Sequence, residues 1–456
     1  MIVAGLMTGN REFHFPRTDL SGWWTSRMFD IKAKPNLVEN ALLIGAHFKR
    51  DEMEEARDLL EELKELVATL GIGIARSVLV NVREISPRYL IGSGKAKEMM
   101  ALARELGCDC IIFDNELSPG QQRAWEEESG LCVIDRQEVI LDIFNMRARS
   151  REARLQVALA RMEYSLPRLT RMWAHLDRQR GAGGAGTGGA GRGEGEMQLE
   201  VDRRLADKRI DKLKADLAEV KRQRDTQRKE RSRVPVPHGA IVGYTNAGKS
   251  SLLNRLTRSD VFVEDKLFAT LDTSTRRMEL PDGQQILLTD TVGFVRRLPH
   301  NLVQSFRATL EETLLADFLI HIVDASHPGA EDFITTTTHV LAELGAGDKK
   351  TVLVFNKVDL ITDSTRLGEL RHLHSDAVFI SVKTGEGIDD LLHRIHEMVF
   401  DRVVRLSLRV PMDRLELVAL AHEQGKVLSE DYEADAALVQ CVIPKRLVSR
   451  FEKFAV

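Results

Sequence analysis

Residues 243 to 250 read GYTNAGKS, combining two glycines, Gly243 and Gly248, with adjacent Lys249 and Ser250. Glycine lets the backbone N–H groups of Tyr244, Thr245, Asn246 and Ala247 turn toward one point, and a helix starting directly afterwards adds partial positive charge there. The chemistry of such a site is phosphate binding. Lys249 is placed to bridge a β- and a γ-phosphate, and the Ser250 hydroxyl to ligate Mg²⁺. Further along, DTVG supplies Asp290, Thr291, Val292 and Gly293. A carboxylate at a strand end can hold Mg²⁺ through a water. The Gly293 N–H can approach a γ-phosphate because no side chain intervenes.

The base is addressed by NKVD, which is Asn356, Lys357, Val358 and Asp359. Asp359 can accept two hydrogen bonds from the N1–H and 2-amino group of guanine, Asn356 can reach the purine edge, and Lys357 can pack over the ring. Adenine offers neither donor, and a carboxylate left without one discriminates strongly, so the expected ligand is GTP or GDP. Ser381, Val382 and Lys383 follow another strand-like run and can close over the base with backbone N–H groups. Taken singly, D-x-x-G is commonly a turn and N-K-x-D an exposed charged turn. Their order after the phosphate loop is what makes them a site.

Between the phosphate loop and DTVG lies FATLDTSTR, residues 268 to 276, where a nucleotide switch needs a mobile loop. Phe268, Ala269, Thr270, Leu271 and Asp272 open it, and Thr270, Thr273 and Thr275 all have the hydroxyl that could engage Mg²⁺. Spacing does not choose among them. Phe294 follows DTVG where a water-orienting glutamine stands in many small GTPases. A phenyl ring cannot orient water, so slow intrinsic hydrolysis that waits for a partner is expected.

These residues need strands that end in loops. The apolar runs Ala240 to Val242, Ile286 to Thr289, Phe318 to Val323, Thr351 to Phe355 and Val378 to Ile380 alternate with helical stretches. That pattern predicts a doubly wound α/β GTPase domain over residues 234 to 400. Upstream, alternating apolar runs and amphipathic stretches predict a small α/β domain over 37 to 142, preceded by a poorly ordered leader, 1 to 36. Residues 143 to 233 turn polar and Arg-rich and predict a helical hairpin, with GAGGAGTGGAGRGEG, residues 181 to 195, as a flexible tip. From 401 to 456 a small α+β tail domain is expected, with strands near Leu406 to Val410 and Ala436 to Ile443.

The chain has 456 residues, a net charge of −4 and four cysteines. Nucleic-acid affinity must therefore come from a local patch. Such a patch lies in Arg147 to Arg180, with nine arginines against three acidic residues. Four cysteines in a chain of this length make no disulfide framework and suit a reducing cytosol. No apolar run is long enough to span a membrane, and the first residues lack the features of a secretory signal. A cytoplasmic monomer is expected, with room for peripheral membrane association.

With these motifs in view, the chain resembles the HflX family of ribosome-associated GTPases, a P-loop, translation-factor-related class. The resemblance runs from about Ala41 to Ser381. It is carried by YLIGSGKAKEM, IIFDNELSPGQQRAWEE, VIDRQEVILDIFNMRARSREARLQV, YSLPRLTRMW, FATLDTSTR and DTVGFVRRLPHNLVQSFRATLEE. It implies a large-ribosomal-subunit partner, contacted through ribosomal RNA by the hairpin, and a role in splitting stalled ribosomes. It also implies Thr270 as the Mg²⁺-ligating threonine, so Lys249, Thr270 and Gly293 are the residues expected at the reacting phosphate. Thr273 stands where the family has proline, and the run 181 to 195 expands a shorter glycine-rich tip. The family's link to ATP has one candidate here, Gly92-Ser93-Gly94-Lys95, which lacks phosphate-loop spacing and is expected simply to start a helix. The competing functions are an occupancy factor using GTP only as a switch and an ATP-dependent RNA remodeller.

Overall fold

The computed structural model describes residues 38–49, 51–181, 191–231, 236–257, 267–268, 271, 273–281, 283–297, 312–400, 403–444 and 447–456. The leader, the centre of the glycine-rich run, and Ala269, Thr270 and Asp272 lie outside them.

The first unit alternates strand and helix: β1 (Asn40–His47), α1 (Met53–Thr69), β2 (Gly73–Asn81), α2 (Ser93–Glu105), β3 (Cys110–Phe113), α3 (Pro119–Ser129), β4 (Cys132–Asp135) and α4 (Arg136–Arg147). Its sheet has order β2-β1-β3-β4 and is parallel throughout. Parallel strands covered on both faces must be apolar along their length, and β1 and β3 are almost entirely buried. Helix starts are locally encoded. Ser118 caps α3 and Gln121 returns the bond, with Pro119 in the first turn. Asp135 caps α4. Gly92 precedes α2, and Lys95 pairs with Glu98 on its exposed side, so the GSGK stretch is a helix start.

Two long helices follow, α5 (Arg151–Gly181) and α6 (Gly191–Arg231). They join through Leu159, Met162, Ala206, Ile210 and Leu213. Gly191 to Gly195, read as part of the glycine-rich tip, belong to α6, and residues 182 to 190 lie outside the described ones. A charged helix-forming segment continues without interruption from there, and helix extension adds one hydrogen bond for each residue fixed.

The second sheet contains β5 (His238–Gly243), β6 (Ser274–Glu279), β7 (Gln285–Asp290), β8 (Phe318–Asp324), β9 (Thr351–Asn356) and β10 (Val378–Phe379), in order β10-β9-β8-β5-β7-β6. Only β6 runs antiparallel, to β7. Helices α7 (Lys249–Thr257), α8 (Ala330–Glu343), α9 (Ser364–Leu373) and α10 (Ile388–Phe400) complete this layer structure. The strand β6 was not expected: the loop assigned to residues 268 to 276 gives way to strand at Ser274. Thr275 is thereby committed to pairing with Thr289 through their hydroxyls at 2.7 Å, which removes it as a switch threonine.

The tail forms an antiparallel sheet, β11 (Val403–Pro411), β13 (Ala436–Pro444) and β12 (Lys426–Tyr432), covered by α11 (Leu415–Gln424) and α12 (Val448–Phe451). The sequence KVLSEDY of β12 is too polar to read as a strand, and pairing with β13 makes it one.

Candidate functional site

The chain builds β6 and β7 on one side of β5, then crosses to β8 on the other. Loops leaving the carboxyl ends of β5, β7 and β9 converge at that switch point, where open parallel sheets bind ligands. The backbone of the 243–250 loop requires its glycines. Gly243 has φ +146° and a Cβ there would stand 2.2 Å from Ile322 O, while Gly248 has φ +99° and a Cβ 2.4 Å from Asn356 Nδ2. Asn246 also sits in the left-handed region, at φ +59°. The loop is tied to the segment after DTVG: Thr245 N donates to Phe294 O at 2.8 Å and Phe294 N donates to Gly243 O at 3.1 Å.

Lys249 is buried and donates from Nζ to Tyr244 O at 2.7 Å. Burial pulls its amine down to about 8, against the opposing influence of the Asp290 carboxylate. Ser250 Oγ donates to Asp290 Oδ2 at 2.5 Å. A hydroxyl and a carboxylate so close together, both at the phosphate loop, are oxygen ligands suited to a hard cation such as Mg²⁺. Gly293 lies against the same lysine, where a Cβ would stand 2.8 Å from Lys249 Nζ. His321 on β8 is buried beside these groups. Desolvation, aided by the Lys249 charge, pushes its imidazole down to about 4, so it is held neutral.

Asn356 joins three parts of the site. Its Nδ2 donates to Ala247 O at 2.8 Å, and its Oδ1 accepts from Val382 N at 3.0 Å. The amide thus braces the phosphate loop against the 381–383 segment, and its second Nδ2 hydrogen is left for the expected reach toward the purine edge. Ser381 Oγ donates to Asp359 Oδ1 at 2.6 Å, Val358 N to Ile380 O at 3.3 Å, and Lys357 Nζ to Asp324 Oδ2 at 2.7 Å. Asp359 and Lys383 are exposed at the mouth.

The side chains of several expected site residues point into the core. Phe268 is 2% exposed and meets Phe144 edge-on at 4.6 Å, and Leu271 and Val292 share the same core cluster. Thr291 donates from Oγ1 to Ile241 O at 2.7 Å. These four side chains are spent on packing. The Tyr244 ring stacks on Phe333 at 3.9 Å, and its hydroxyl donates to Glu62 Oε1 at 2.7 Å and accepts from Arg296 N at 2.7 Å. Burial, reinforced by the Glu62 charge, raises this phenol far above its ordinary value. Glu62 also pairs with the buried Arg136, whose other partner is Asp114 at 2.7 Å. Glu62 lies in no quoted motif, and Arg136 falls in the VIDRQEV segment without a role having been assigned to it.

Arg168, one of the arginines of the basic run 147 to 180, is anchored at the base of the hairpin. It bonds Asp135 at 3.2 Å, Leu117 O at 3.0 Å and Gln122 at 2.8 Å, and lies over the Tyr164 ring. The side chains of Arg171 and Trp173 lie outside the described ones. Among the described residues no cluster of three or more His, Cys, Asp or Glu could hold a metal, and none of the four cysteines is in a disulfide. Among those residues, no helix is long and apolar enough to cross a membrane.

A parallel sheet that ends in a phosphate loop, a DTVG segment and an NKVD loop braced by Asn356 defines a P-loop guanine-nucleotide hydrolase. Three family models cover most of the chain: "GTP-binding GTPase N-terminal" over 57–145, "GTP-binding GTPase Middle Region" over 147–231 and "50S ribosome-binding GTPase" over 238–357. The GTPase HflX of Akkermansia muciniphila is 54% identical over 94% of this chain and 99% of its own length. That of Escherichia coli K12 is 38% identical over 88% of this chain and 92% of its own. A GTP-binding protein of the archaeon Sulfolobus solfataricus, solved in complex with GDP, is 22% identical over 80% of this chain and 99% of its own, with a TM-score of 0.42. The chain belongs to the HflX family of GTPases.

Proposed function

We propose that this GTPase binds the large ribosomal subunit and promotes dissociation or recycling of stalled ribosomes, with hydrolysis stimulated by the ribosome. The observation that carries the stimulated step is Phe294. Its ring is 1% exposed in the core and its backbone bridges the phosphate loop, so the position offers no polar group to an attacking water. A partner must order the switch loop or supply that group. The ribosome is favoured as partner by the description of the model matching 238–357 and by the basic hairpin, where Arg203, Arg204, Lys208, Lys212 and Arg222 are exposed on α6.

In this reading Asp359, held by Ser381, selects guanine, and Asn356 keeps the 243–250 loop and the 381–383 segment in register. Lys249 and the Gly293 N–H stabilise charge on the γ-phosphoryl oxygens. Ser250, with Asp290 beside it, would hold Mg²⁺, and family resemblance adds Thr270. The metal, when bound, supplies charge neutralisation at the phosphates.

The test is GTP turnover with and without purified large subunits, alongside light scattering of intact ribosomes with a non-hydrolysable GTP analogue. Stimulation of at least about tenfold and a fall in scatter are expected. Equal rates would sink the stimulated step, and unchanged scatter would sink dissociation.

A further inference from the structure

We infer that Asp324, at the carboxyl end of β8, is a positioning residue that holds Lys357 for guanine recognition. The inference rests on the reading of Lys357 as the group that packs over the base.

Lys357 leaves β9 in the left-handed region, φ +63°, and its ammonium lies 2.7 Å from Asp324 Oδ2. The two side chains are 25% and 17% exposed, so the pair is largely withdrawn from water. Asp324 is itself fixed. Its Oδ1 accepts from Ser326 N at 3.0 Å and from Ser326 Oγ at 2.6 Å, which leaves Oδ2 for the lysine. The strand register places Asp324 opposite Asn356, and Ala325 N donates to Asn356 O at 2.9 Å, so β8 delivers the carboxylate to the base of the NKVD loop. The lysine backbone is anchored from the other side, with Leu360 N donating to Lys357 O at 3.0 Å.

A lysine at this place faces two competing demands. Its methylene stem is useful against a base, whereas its ammonium is a strongly hydrated point charge drawn to any nearby phosphate. Pairing the ammonium with Asp324 ties down the far end of the stem and neutralises the charge. What remains for the ligand is an ordered apolar bar. Asp324 touches no ligand in this arrangement and acts through Lys357.

The test is a double-mutant cycle on the full chain with Asp324→Asn, Lys357→Met and both together, reading the Kd for a fluorescent GDP derivative and kcat at saturating GTP. Asp324→Asn should weaken GDP binding by about 5- to 30-fold, add nothing further when combined with Lys357→Met, and leave kcat within about twofold. A parent-like Kd in Asp324→Asn, losses that multiply in the double variant, or a fall in kcat at unchanged Kd overturns the inference. Lys357→Met at parent affinity overturns the reading of Lys357 and this one with it. A weakened Lys357→Met beside an unaffected Asp324→Asn overturns this one alone. Should Asp324→Asn unfold, as seen by circular dichroism, Ser326→Ala replaces it. It should weaken GDP binding by about 2- to 5-fold in the parent and not at all beside Lys357→Met. Any other pattern counts against the role.

Discussion

Lys249 illustrates how a binding residue is prepared by burial. Its ammonium donates to Tyr244 O, and desolvation lowers it to about 8. Bound phosphates favour the charged form, so nucleotide binding must take up a proton once the pH exceeds about 8. GDP affinity should therefore be flat near neutrality and fall above about pH 8, by up to tenfold for each further pH unit. Calorimetry from about pH 7 to about pH 9, in buffers of different ionisation enthalpy, would show proton uptake on the alkaline side. A Kd independent of pH over that range would mean that the lysine is already fully charged before the nucleotide binds. At this scale much of the site was legible in the sequence, because a phosphate loop is a local device: glycines, a lysine and a serine act within eight residues. Which partner each side chain takes was not legible. Asn356 reads as a base contact, and only the approach of β9 to the 243–250 loop adds its role as a brace between Ala247 and Val382.

Among the elements, the meeting of α1, α4 and the loop after β5 is the most consequential. Arg136 at the start of α4 is buried with Glu62 of α1 and Asp114 at the end of β3, and Glu62 receives the Tyr244 hydroxyl. Desolvation pulls the Arg136 guanidinium down, and the Glu62 and Asp114 carboxylates together outweigh it and raise it. A buried pair of this kind is weak as a source of net stability, yet breaking it leaves carboxylates in the interior. Arg136→Met should cost about 3–5 kcal/mol and lower the thermal unfolding midpoint. An unchanged midpoint would show that water or Arg297, 3.7 Å from Asp114, takes over as counter-charge. Most helices and parallel strands were legible, since their caps and apolar runs are local. The strands β6 and β12 were not, because their residues are polar and become strand only by pairing with β7 and β13.

At the level of the whole molecule, one core cluster runs from Leu43 and Ile112 of the first sheet, through Phe144 and Val157, to Val242, Phe294 and Leu319 of the second. The hairpin base is sewn into this body by Arg168 with Asp135, and by Arg224 with Glu152 and Glu312. Its root is thus tied to the body by partly buried ion pairs. If the basic face of the hairpin seeks ribosomal phosphates, affinity for large subunits should fall by roughly 10³-fold between about 50 mM and about 200 mM monovalent salt, while GDP affinity changes far less. Sedimentation with large subunits at the two salt concentrations would measure it, and a salt-independent pelleted fraction would remove the electrostatic role of the hairpin.

The nucleotide chemistry and the division into sheet, hairpin and sheet follow from residue order alone, since phosphate loops, helix caps and apolar runs act over a few neighbouring residues. Tertiary structure alone decided that Tyr244 serves Glu62, that Phe268 serves Phe144 and that Arg168 serves Asp135. Those partners lie far apart in the chain, and burial removes the water that would otherwise have been their equal competitor.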